Sequence, residues 1–336
     1  MDESVLKIGL MGLGEVSMMH EAGYNEEPRA HIVAVCDRDE QLAKSRAEPY
    51  GAKHYSDCEE LVNDNDVDTV DIMLPHRFHY KYAKKAMLAG KNVLIEKPMA
   101  MKYKEARDLI STAKAVGVRL AVAENTRYVE LYQKAYQLVQ KNRLGKIWLV
   151  RTLIAGSEVA RYSDKQSWVG KKKTGGGIII DAGVHSFYLL KWFFGEIKNL
   201  RTFYWHTLGT DAEDNAVVLG TLEDGTHFDS QFSDTAQQPW TERLEVYGEK
   251  GVLIGDQLSD PPLKVYNGPM DDEGETVQVQ YDPLGWKIRS VMEEIKDFVG
   301  SIVEKREPLV NPNDAAYAVK VAELAYKKSE ELNYFE

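Results

Sequence analysis

The chain has 336 residues, of which 43% are hydrophobic and 28% charged, a composition typical of globular proteins and a length that usually gives two domains. Aspartate and glutamate number 53 against 42 lysines and arginines, and the net charge of −11 disfavours nucleic acid and anionic membranes as partners. The two cysteines, Cys36 and Cys58, fit neither a metal site nor a disulfide framework, and no segment is typical of a signal peptide or membrane span, which predicts a cytoplasmic protein.

Short β-rich runs alternate with helical patterns over residues 1–123, at the spacing of βα units. Strands are predicted at 6–10, 32–36, 53–55, 69–74, 92–95 and 119–123. Helices are predicted to follow the first glycines as far as residue 25, and at 39–50, 79–89 and 103–116. Six strands with helical crossovers predict a doubly wound parallel sheet, the Rossmann architecture of α/β proteins.

The pattern changes in the second part of the chain, residues 124–336. A helix at 128–142, a strand at 147–155 and an apolar helix at 182–194 are predicted to precede strands at 200–208, 215–222, 226–233, 242–248, 251–254, 263–266 and 276–281. Helices at 287–304 and 314–332 close the chain. This part is predicted to be an α+β domain with a large, mostly antiparallel open sheet, whose last helix is a candidate for packing back towards the first domain.

A glycine-rich turn follows the first predicted strand, Gly12-Leu13-Gly14-Glu15-Val16-Ser17. In a dinucleotide-binding turn the first glycine permits the tight bend, the second lets the backbone approach a pyrophosphate, and the third position requires a small residue. Ser17 stands where glycine or alanine is usual. The preceding strand and the following helix predict dinucleotide binding rather than an ordinary glycine turn.

An acid ends the second strand, where a carboxylate accepts hydrogen bonds from the adenosine ribose hydroxyls. Asp37 therefore favours NAD, since it would repel the 2′-phosphate of NADP. Arg38 beside it could pair with that phosphate, so NADP stays an alternative.

Glu96-Lys97-Pro98 follows the fifth strand, at the sheet edge where ligands of open α/β sheets bind. There Lys97 could donate to a substrate oxygen and stabilise developing negative charge. Pro98 could fix the turn through a cis peptide bond. Taken alone, a strand-end lysine is more often a solvated surface residue.

Three separated segments occur in order along the chain: 75–79 (Pro-His-Arg-Phe-His), 89–98 (Ala-Gly-Lys-Asn-Val-Leu-Ile-Glu-Lys-Pro) and 175–185 (Gly-Gly-Gly-Ile-Ile-Ile-Asp-Ala-Gly-Val-His). Together they resemble the motifs of the glucose-fructose oxidoreductase, inositol dehydrogenase and rhizopine-catabolism family (Gfo/Idh/MocA), over most of the chain. The chain departs from the family pattern at Ser17, at His76 where asparagine is usual, and at Tyr188 where an acid often follows the histidine.

The resemblance implies catalytic roles for Lys97, Asp181 and His185, with the histidine as general acid/base and the other two holding the reacting oxygen. An imidazole titrates near neutral pH, as an acceptor for a hydroxyl proton should. Asp181 and His185 are four residues apart at the predicted start of a helix, so one helix face would carry both, and the helix N-terminus would favour the carboxylate. Separately, Asp181 could be a helix N-cap and His185 a core histidine. The preceding glycines would let substrate approach the backbone.

The remaining site residues come from the same comparison and position. The expected cofactor contacts are Gly12, Gly14, Glu15, Val16, Asp37, Arg38, Leu74, Pro75, His76, His79, Glu96, Lys97, Pro98 and Asn125. The expected substrate contacts are Lys97, Arg127, Tyr162, Trp168, Asp181 and His185. No metal is expected, and the acidic run at 271–273 is interpreted as a surface turn.

The favoured function is hydride transfer between NAD or NADP and a carbinol carbon of a sugar, a glycoside or an inositol. By resemblance the protein would form a homodimer or homotetramer through the sheet of its second domain. Two alternatives stay open: a dinucleotide-binding sensor without redox turnover, and a glycoside-cleaving enzyme that uses NAD for a transient oxidation. The sensor would be expected to lack the catalytic lysine or histidine, both of which this chain keeps.

Overall fold

The computed structural model describes residues 5–164, 167–270, 273–280 and 285–332. Its strands are β1 (Leu6–Met11), β2 (Ala30–Cys36), β3 (Lys53–Tyr55), β4 (Thr69–Ile72), β5 (Asn92–Glu96), β6 (Leu120–Ala123), β7 (Ile147–Ala155), β8 (Ile197–Trp205), β9 (Asn215–Leu222), β10 (His227–Ser233), β11 (Thr241–Gly248), β12 (Gly251–Asp256), β13 (Leu263–Tyr266), β14 (Glu275–Thr276) and β15 (Ser329–Glu331). Its α-helices are α1 (Glu15–Asn25), α2 (Glu40–Ala47), α3 (Cys58–Asn63), α4 (His79–Leu88), α5 (Tyr103–Val116), α6 (Glu130–Gln140), α7 (Val159–Ser163), α8 (Ile178–Asp181), α9 (Gly183–Phe194), α10 (Trp286–Val303) and α11 (Pro312–Lys327).

These elements form two compact units. The first runs as far as Tyr128 and also includes Lys287–Ala316; the second comprises Val129–Trp286 and the chain from Tyr317 onwards. The first unit therefore contains β1–β6, α1–α5 and almost all of α10, although α10 is far away in the sequence.

The sheet of the first unit has the strand order β3-β2-β1-β4-β5-β6, and every neighbouring pair is parallel. This confirms the predicted doubly wound sheet. The central strands are almost entirely apolar and buried, because helices cover both faces of such a sheet. Strand β4 is an exception in composition: its four buried residues include a carboxylate, Asp71.

Helix α10 supplies one apolar face to the core of the first unit. Val291, Ile295, Phe298 and Val299 are buried in one cluster with side chains of β1 and β2. The close approach of α1 to this helix requires Gly23, since a Cβ atom there would lie 2.8 Å from Cγ1 of Ile295. Tertiary packing of this amphipathic face therefore draws a distant helix into the Rossmann unit.

The sheet of the second unit has nine strands in the order β14-β13-β12-β11-β7-β10-β9-β8-β15. The pairs β7–β10 and β8–β15 are parallel and the others are antiparallel, which confirms the predicted mostly antiparallel sheet. Helices α8 and α9 pack against β7, β9 and β10, where the rings of Phe187 and Phe232 meet edge to face at 6.0 Å.

Several predicted boundaries are wrong. The last helix ends at Lys327 instead of continuing to residue 332, because the backbone that follows pairs with β8 as strand β15. Strand β8 runs over Ile197–Trp205, three residues earlier than predicted, and the short helix α3 was not predicted. Part of the strand predicted at 276–281 lies outside the described residues; only Glu275–Thr276 is a strand.

Replacing Ile295 by alanine tests whether α10 belongs to the core of the first unit. Ile295 is fully buried, so Ile295→Ala should lower the free energy of unfolding by about 2–5 kcal/mol through lost burial and a cavity. The matched control is Ile288→Ala on the same helix, where the side chain is 42% exposed and the loss should stay below about 1 kcal/mol. Urea unfolding followed by circular dichroism measures both; equal losses would contradict the burial of this face.

Candidate active site

The glycine turn after β1 leaves open space at the start of a helix. Gly12 has a φ of +89°, and a Cβ atom on it would lie 2.6 Å from the carbonyl oxygen of Met73, so only glycine fits. A Cβ atom on Gly14 would meet no heavy atom within 4 Å. Gly14 is the N-cap of α1 and no side chain caps that helix end, whose first turn contains Glu15 and Val16. Free space beside uncapped backbone N–H groups fits a dinucleotide pyrophosphate.

Ser17 is accommodated at the third position of the motif. Its side chain is fully buried, and its hydroxyl donates to the carbonyl oxygen of Gly14 at 2.7 Å and accepts from Nη2 of Arg46 at 3.1 Å. The hydroxyl is thus paired inside the protein, which explains how serine serves where the motif usually has glycine or alanine.

The carboxylate of Asp37 lies against the glycine turn. Its Oδ2 accepts from the backbone N–H of Leu13 at 2.9 Å, and its Oδ1 accepts from the backbone N–H of Asp39 at 3.0 Å. The acid thus opens the following turn and also joins the end of β2 to the glycine turn. Each oxygen keeps a further lone pair that could accept a ribose hydroxyl. Arg38 is exposed next to it.

His79 ties the end of β4 to the end of β5. The ring is fully buried; Nδ1 is 2.8 Å from the carbonyl oxygen of Pro98, and Nε2 is 2.6 Å from that of Leu74. His76 is also buried, and its ring lies edge-on to that of His79 at 5.4 Å. Pro75 precedes the short 3-10 turn His76–Phe78 that leads into α4.

Lys97 follows β5 directly and is half-buried. Its backbone N–H donates to Oε2 of Glu96 at 3.0 Å, so the preceding carboxylate fixes the start of the turn. The Lys97–Pro98 peptide bond is cis, as predicted. After β6, the amide of Asn125 donates to Oγ of Ser290 at 3.0 Å, and Arg127 is half-buried in the same 3-10 turn, Asn125–Tyr128.

In the second unit, Asp181 and His185 lie on consecutive helices. Asp181 is the last residue of the four-residue helix α8, Ala182 caps α9, and His185 lies in the first turn of α9; both side chains are half-buried. The prediction that both residues open one helix is therefore wrong, and so is the argument from its N-terminus. The helical turn begins earlier, at Ile178, and breaks at Ala182.

Gly177, the last glycine before α8, is required by internal packing. Gly177 has a φ of +112°, and a Cβ atom there would lie 2.5 Å from Oε1 of Glu213. That oxygen also accepts from the backbone N–H of Ile179 at 3.2 Å and from the hydroxyl of Tyr326 at 2.7 Å. Glu213 thus lies beneath the start of α8, and its burial raises the pKa of its carboxyl group.

Asp234 is a second buried acid of this unit. It is 4% exposed, and the hydroxyl of Tyr162 donates to its Oδ2 at 2.7 Å. Burial, reinforced by the charges of Asp181 and Glu158, raises the pKa of Asp234 to about 7. Tyr162, an expected substrate contact, is itself 5% exposed and engaged inside the protein.

Trp168 lies half-buried in the loop that precedes α8. Its carbonyl oxygen accepts from Oγ1 of Thr174 at 2.8 Å and from the backbone N–H of Lys171 at 3.1 Å, so the loop folds on itself. Residues 165–166 of this loop, and 271–272 of the acidic run, lie outside the described residues.

Sequence reasoning missed the buried acids of both units: Asp71, Glu294, Glu213 and Asp234. For Asp71 a signal existed, because a carboxylate inside a short apolar strand is unusual. Among the residues that the structure describes, no three His, Cys, Asp or Glu side chains are grouped as metal ligands, and no helix is long and apolar enough to cross a membrane.

A Rossmann sheet with a glycine turn, a strand-end carboxylate beside it and a lysine at the same sheet edge defines the class of dinucleotide-binding oxidoreductases. The chain belongs to one family of that class: residues 6–124 match the Gfo/Idh/MocA oxidoreductase family model with an NAD-binding Rossmann fold, and residues 132–254 match the C-terminal domain model of the same family.

Relatives of known name extend this assignment. The chain is 25% identical to myo-inositol 2-dehydrogenase of Thermotoga maritima, with 97% of each chain covered. It is 30% identical to D-glucoside 3-dehydrogenase of Escherichia coli K12, over 62% of this chain and 60% of that protein. The crystal structure of GenD2 from gentamicin A biosynthesis, in complex with NAD, superposes with a TM-score of 0.84 at 25% identity, over 97% of this chain and 94% of that one.

The raised pKa of Asp234 makes the stability of the protein depend on pH. An unfolded aspartate loses its proton near pH 4, whereas Asp234 keeps its proton in the folded protein up to about pH 7. Stability is therefore lost as pH rises between these two values, and no more is lost above the folded pKa. Asparagine has no proton to lose, so Asp234→Asn should lack this loss of stability. Between about pH 5 and pH 8 its free energy of unfolding should therefore fall by about 2–3 kcal/mol less than that of the wild type.

Urea titrations at the two pH values measure this difference. Asp260→Asn, at an exposed position, serves as the control and should follow the wild type. Parallel pH dependence of the wild type and Asp234→Asn would show that Asp234 ionises normally in the folded protein.

Proposed function

We propose that this oxidoreductase is an NAD-dependent dehydrogenase that moves hydride reversibly between nicotinamide and a carbinol carbon of a sugar, a glycoside or an inositol. The observation that carries the proposal is the placement of Lys97, fixed by Glu96 at the sheet edge where Gly12 and Asp37 also lie. This edge is where dinucleotides bind in open parallel sheets. The names of the Thermotoga and Escherichia relatives support a polyol or glycoside as substrate.

The cofactor would be held by the glycine turn and the acid beside it. The open space at Gly14 receives the pyrophosphate, and Asp37 accepts from the adenosine ribose. When bound, the nicotinamide ring supplies the hydride acceptor or donor. The carboxylate of Asp37 favours NAD, because it would repel the 2′-phosphate of NADP.

The proposed chemistry assigns three roles to this chain. Lys97 donates from its ammonium group to the substrate oxygen and stabilises the charge that develops there. His185 takes the hydroxyl proton during oxidation and returns it during reduction. Asp181 orients the lysine ammonium or a neighbouring hydroxyl of the substrate, and so keeps the reacting oxygen in line. Family motifs, which all three residues match, support this assignment.

The oligomeric state and the cellular location belong to the same proposal. Leu219 of β9 is 42% exposed. Beside it, Asp229 of the neighbouring strand β10 forms an ion pair with Arg151 of β7. We propose that this face of the sheet pairs with a second copy of the chain, in a cytoplasmic homodimer or homotetramer.

Absorbance of reduced nicotinamide tests the dehydrogenase directly. Purified protein with NAD or NADP is supplied with a panel of inositols, aldoses and glycosides, and the wild type should reduce the cofactor with at least one of them. Lys97→Ala should lower kcat/KM by about 100- to 10,000-fold, because it loses charge stabilisation in the transition state. Lys104→Ala, at an exposed lysine, is the matched control and should match the wild type.

Other outcomes of this assay point to the alternatives. Dinucleotide binding without reduction by any polyol would favour the sensor. A cofactor that stays bound and shows no net reduction while a glycoside is cleaved would favour transient oxidation.

Cofactor choice is tested at Asp37. Asp37→Ser keeps a hydroxyl for the N–H of Leu13 but removes the charge, so the ratio of kcat/KM with NAD to that with NADP should fall by about tenfold or more. Asp39→Ser keeps a helix N-cap and should leave the ratio unchanged. An unchanged ratio in Asp37→Ser would mean that another group selects the cofactor.

A further inference from the structure

A fully buried histidine joins two carboxylates on neighbouring strands of the first unit. His20 lies on α1; its Nδ1 is 2.7 Å from Oδ2 of Asp71 on β4, and its Nε2 is 3.1 Å from Oε1 of Glu96 on β5. One turn further along α1, the hydroxyl of Tyr24 donates to the same Oδ2 of Asp71 at 3.1 Å. A neutral imidazole has one N–H, so only the imidazolium can donate to both carboxylates.

The charges around His20 agree with this geometry. Burial alone would lower the pKa of His20, but the two carboxylates outweigh burial and raise it well above its ordinary value. Burial likewise acts to raise the pKa of Glu96, but the bond to His20 together with the charges of His20, Lys97 and His79 outweighs burial, so the pKa of Glu96 is lowered. The cluster is therefore an imidazolium between two carboxylates.

One further acid faces the cluster from α10. Glu294 is 2% exposed, and neither of its carboxyl oxygens has a hydrogen-bond partner. Burial raises its pKa well above the ordinary value, which favours its uncharged form. The other groups that act on the cluster are Glu124, through its effect on Glu294, and Lys97 and His79, through their effect on Glu96.

Glu96 connects this cluster to the lysine. One carboxylate oxygen accepts from His20, and the other accepts from the backbone N–H of Lys97. The carboxylate is also close enough for the ammonium charge of Lys97 to act on it. The side chain of Glu96 therefore links His20 on α1 to the turn that contains Lys97.

We infer that His20 is a positioning residue for Lys97: its imidazolium holds the Glu96 carboxylate in place and offsets the charge of that carboxylate beside the lysine. This inference rests on the proposed role of Lys97. It assigns to His20 no contact with substrate or cofactor.

Opposite charge changes at His20 and Glu96 should move the pKa of Lys97 in opposite directions. In His20→Gln the carboxylate of Glu96 loses its counter-charge, so the pKa of Lys97 should rise by about one pH unit; in Glu96→Gln the imidazolium remains and the pKa of Lys97 should fall by about as much. The double variant His20→Gln/Glu96→Gln restores the charge balance and should return the pKa to near the wild-type value.

Competitive labelling of lysines with trace acetic anhydride, read peptide by peptide by mass spectrometry, measures the pKa of Lys97 in the full-length protein without any substrate. Tyr24→Phe is the matched control: it removes the other donor to Asp71, leaves the bond of His20 to Glu96, and should not move the pKa of Lys97. Circular dichroism checks that each variant is folded, and Glu96→Gln alone still tests the inference if His20→Gln does not fold.

An unchanged pKa of Lys97 in the folded charge variants, or shifts of the same sign in both, would overturn the inference. With an active substrate in hand, His20→Gln should also lower kcat at least about tenfold while the dissociation constant of the dinucleotide stays within about twofold. Failure of the proposed function is separate: it would appear as absence of turnover in the wild type, whereas the labelling result would stand.

Discussion

Parallel pairing of the strands around β1 is the constraint on which the candidate site of the first unit depends. All strands of a parallel sheet end at the same edge, so residues that follow different strands meet there although long stretches of chain separate them. Gly12 follows β1, Asp37 follows β2, and Lys97 follows β5. Local bonds then fix the strand ends to each other: Asp37 accepts from the glycine turn, and His79 joins the ends of β4 and β5.

The same arrangement makes buried charges near that edge costly. Central parallel strands are buried on both faces, so a carboxylate on β4 or at the end of β5 loses most of its water. Asp71 and Glu96 would be costly there without a cation, and α1 supplies one in His20. Glu294 of α10 is also buried here, and burial raises its pKa, which favours its uncharged form. One cation thus serves two anions, and removing His20 would leave both carboxylates without their counter-charge.

Local patterns in the sequence were sufficient to predict the strands, helices and strand-end turns of the first unit. They were not sufficient to predict the contacts in its interior. The βα alternation, the glycine turn, Asp37 and the turn at Lys97 all arise from short segments with strong preferences, and the structure places them as their spacing predicts. The pairing of His20 with Asp71 spans 51 residues and depends on the order of the strands. The packing of α10 into this unit is equally non-local, since an amphipathic helix does not indicate which sheet its apolar face will cover.

In the second unit, pairing at a sheet edge and local packing account for features that the sequence did not predict. The strand β15 forms because the backbone beyond α11 pairs with an edge strand, which outweighs helix propensity there. The glycine triplet is a signature of the family motif, yet the structure gives Gly177 a packing reason, its contact with the carboxylate of Glu213. A residue of a family motif can therefore serve the packing of the fold.

Buried acids near Asp181 also affect how activity would depend on pH. Asp234 loses its proton near pH 7, and its charge and that of Asp181 act on each other. Imidazole groups in general have an unperturbed pKa of about 6.5, in the same range. The negative charge in this unit therefore grows as the pH rises through about 7. The apparent pKa values of a pH–rate profile would then belong to a coupled set of groups, and assigning one limb to His185 alone would require the profile of Asp234→Asn, in which the second titration is removed.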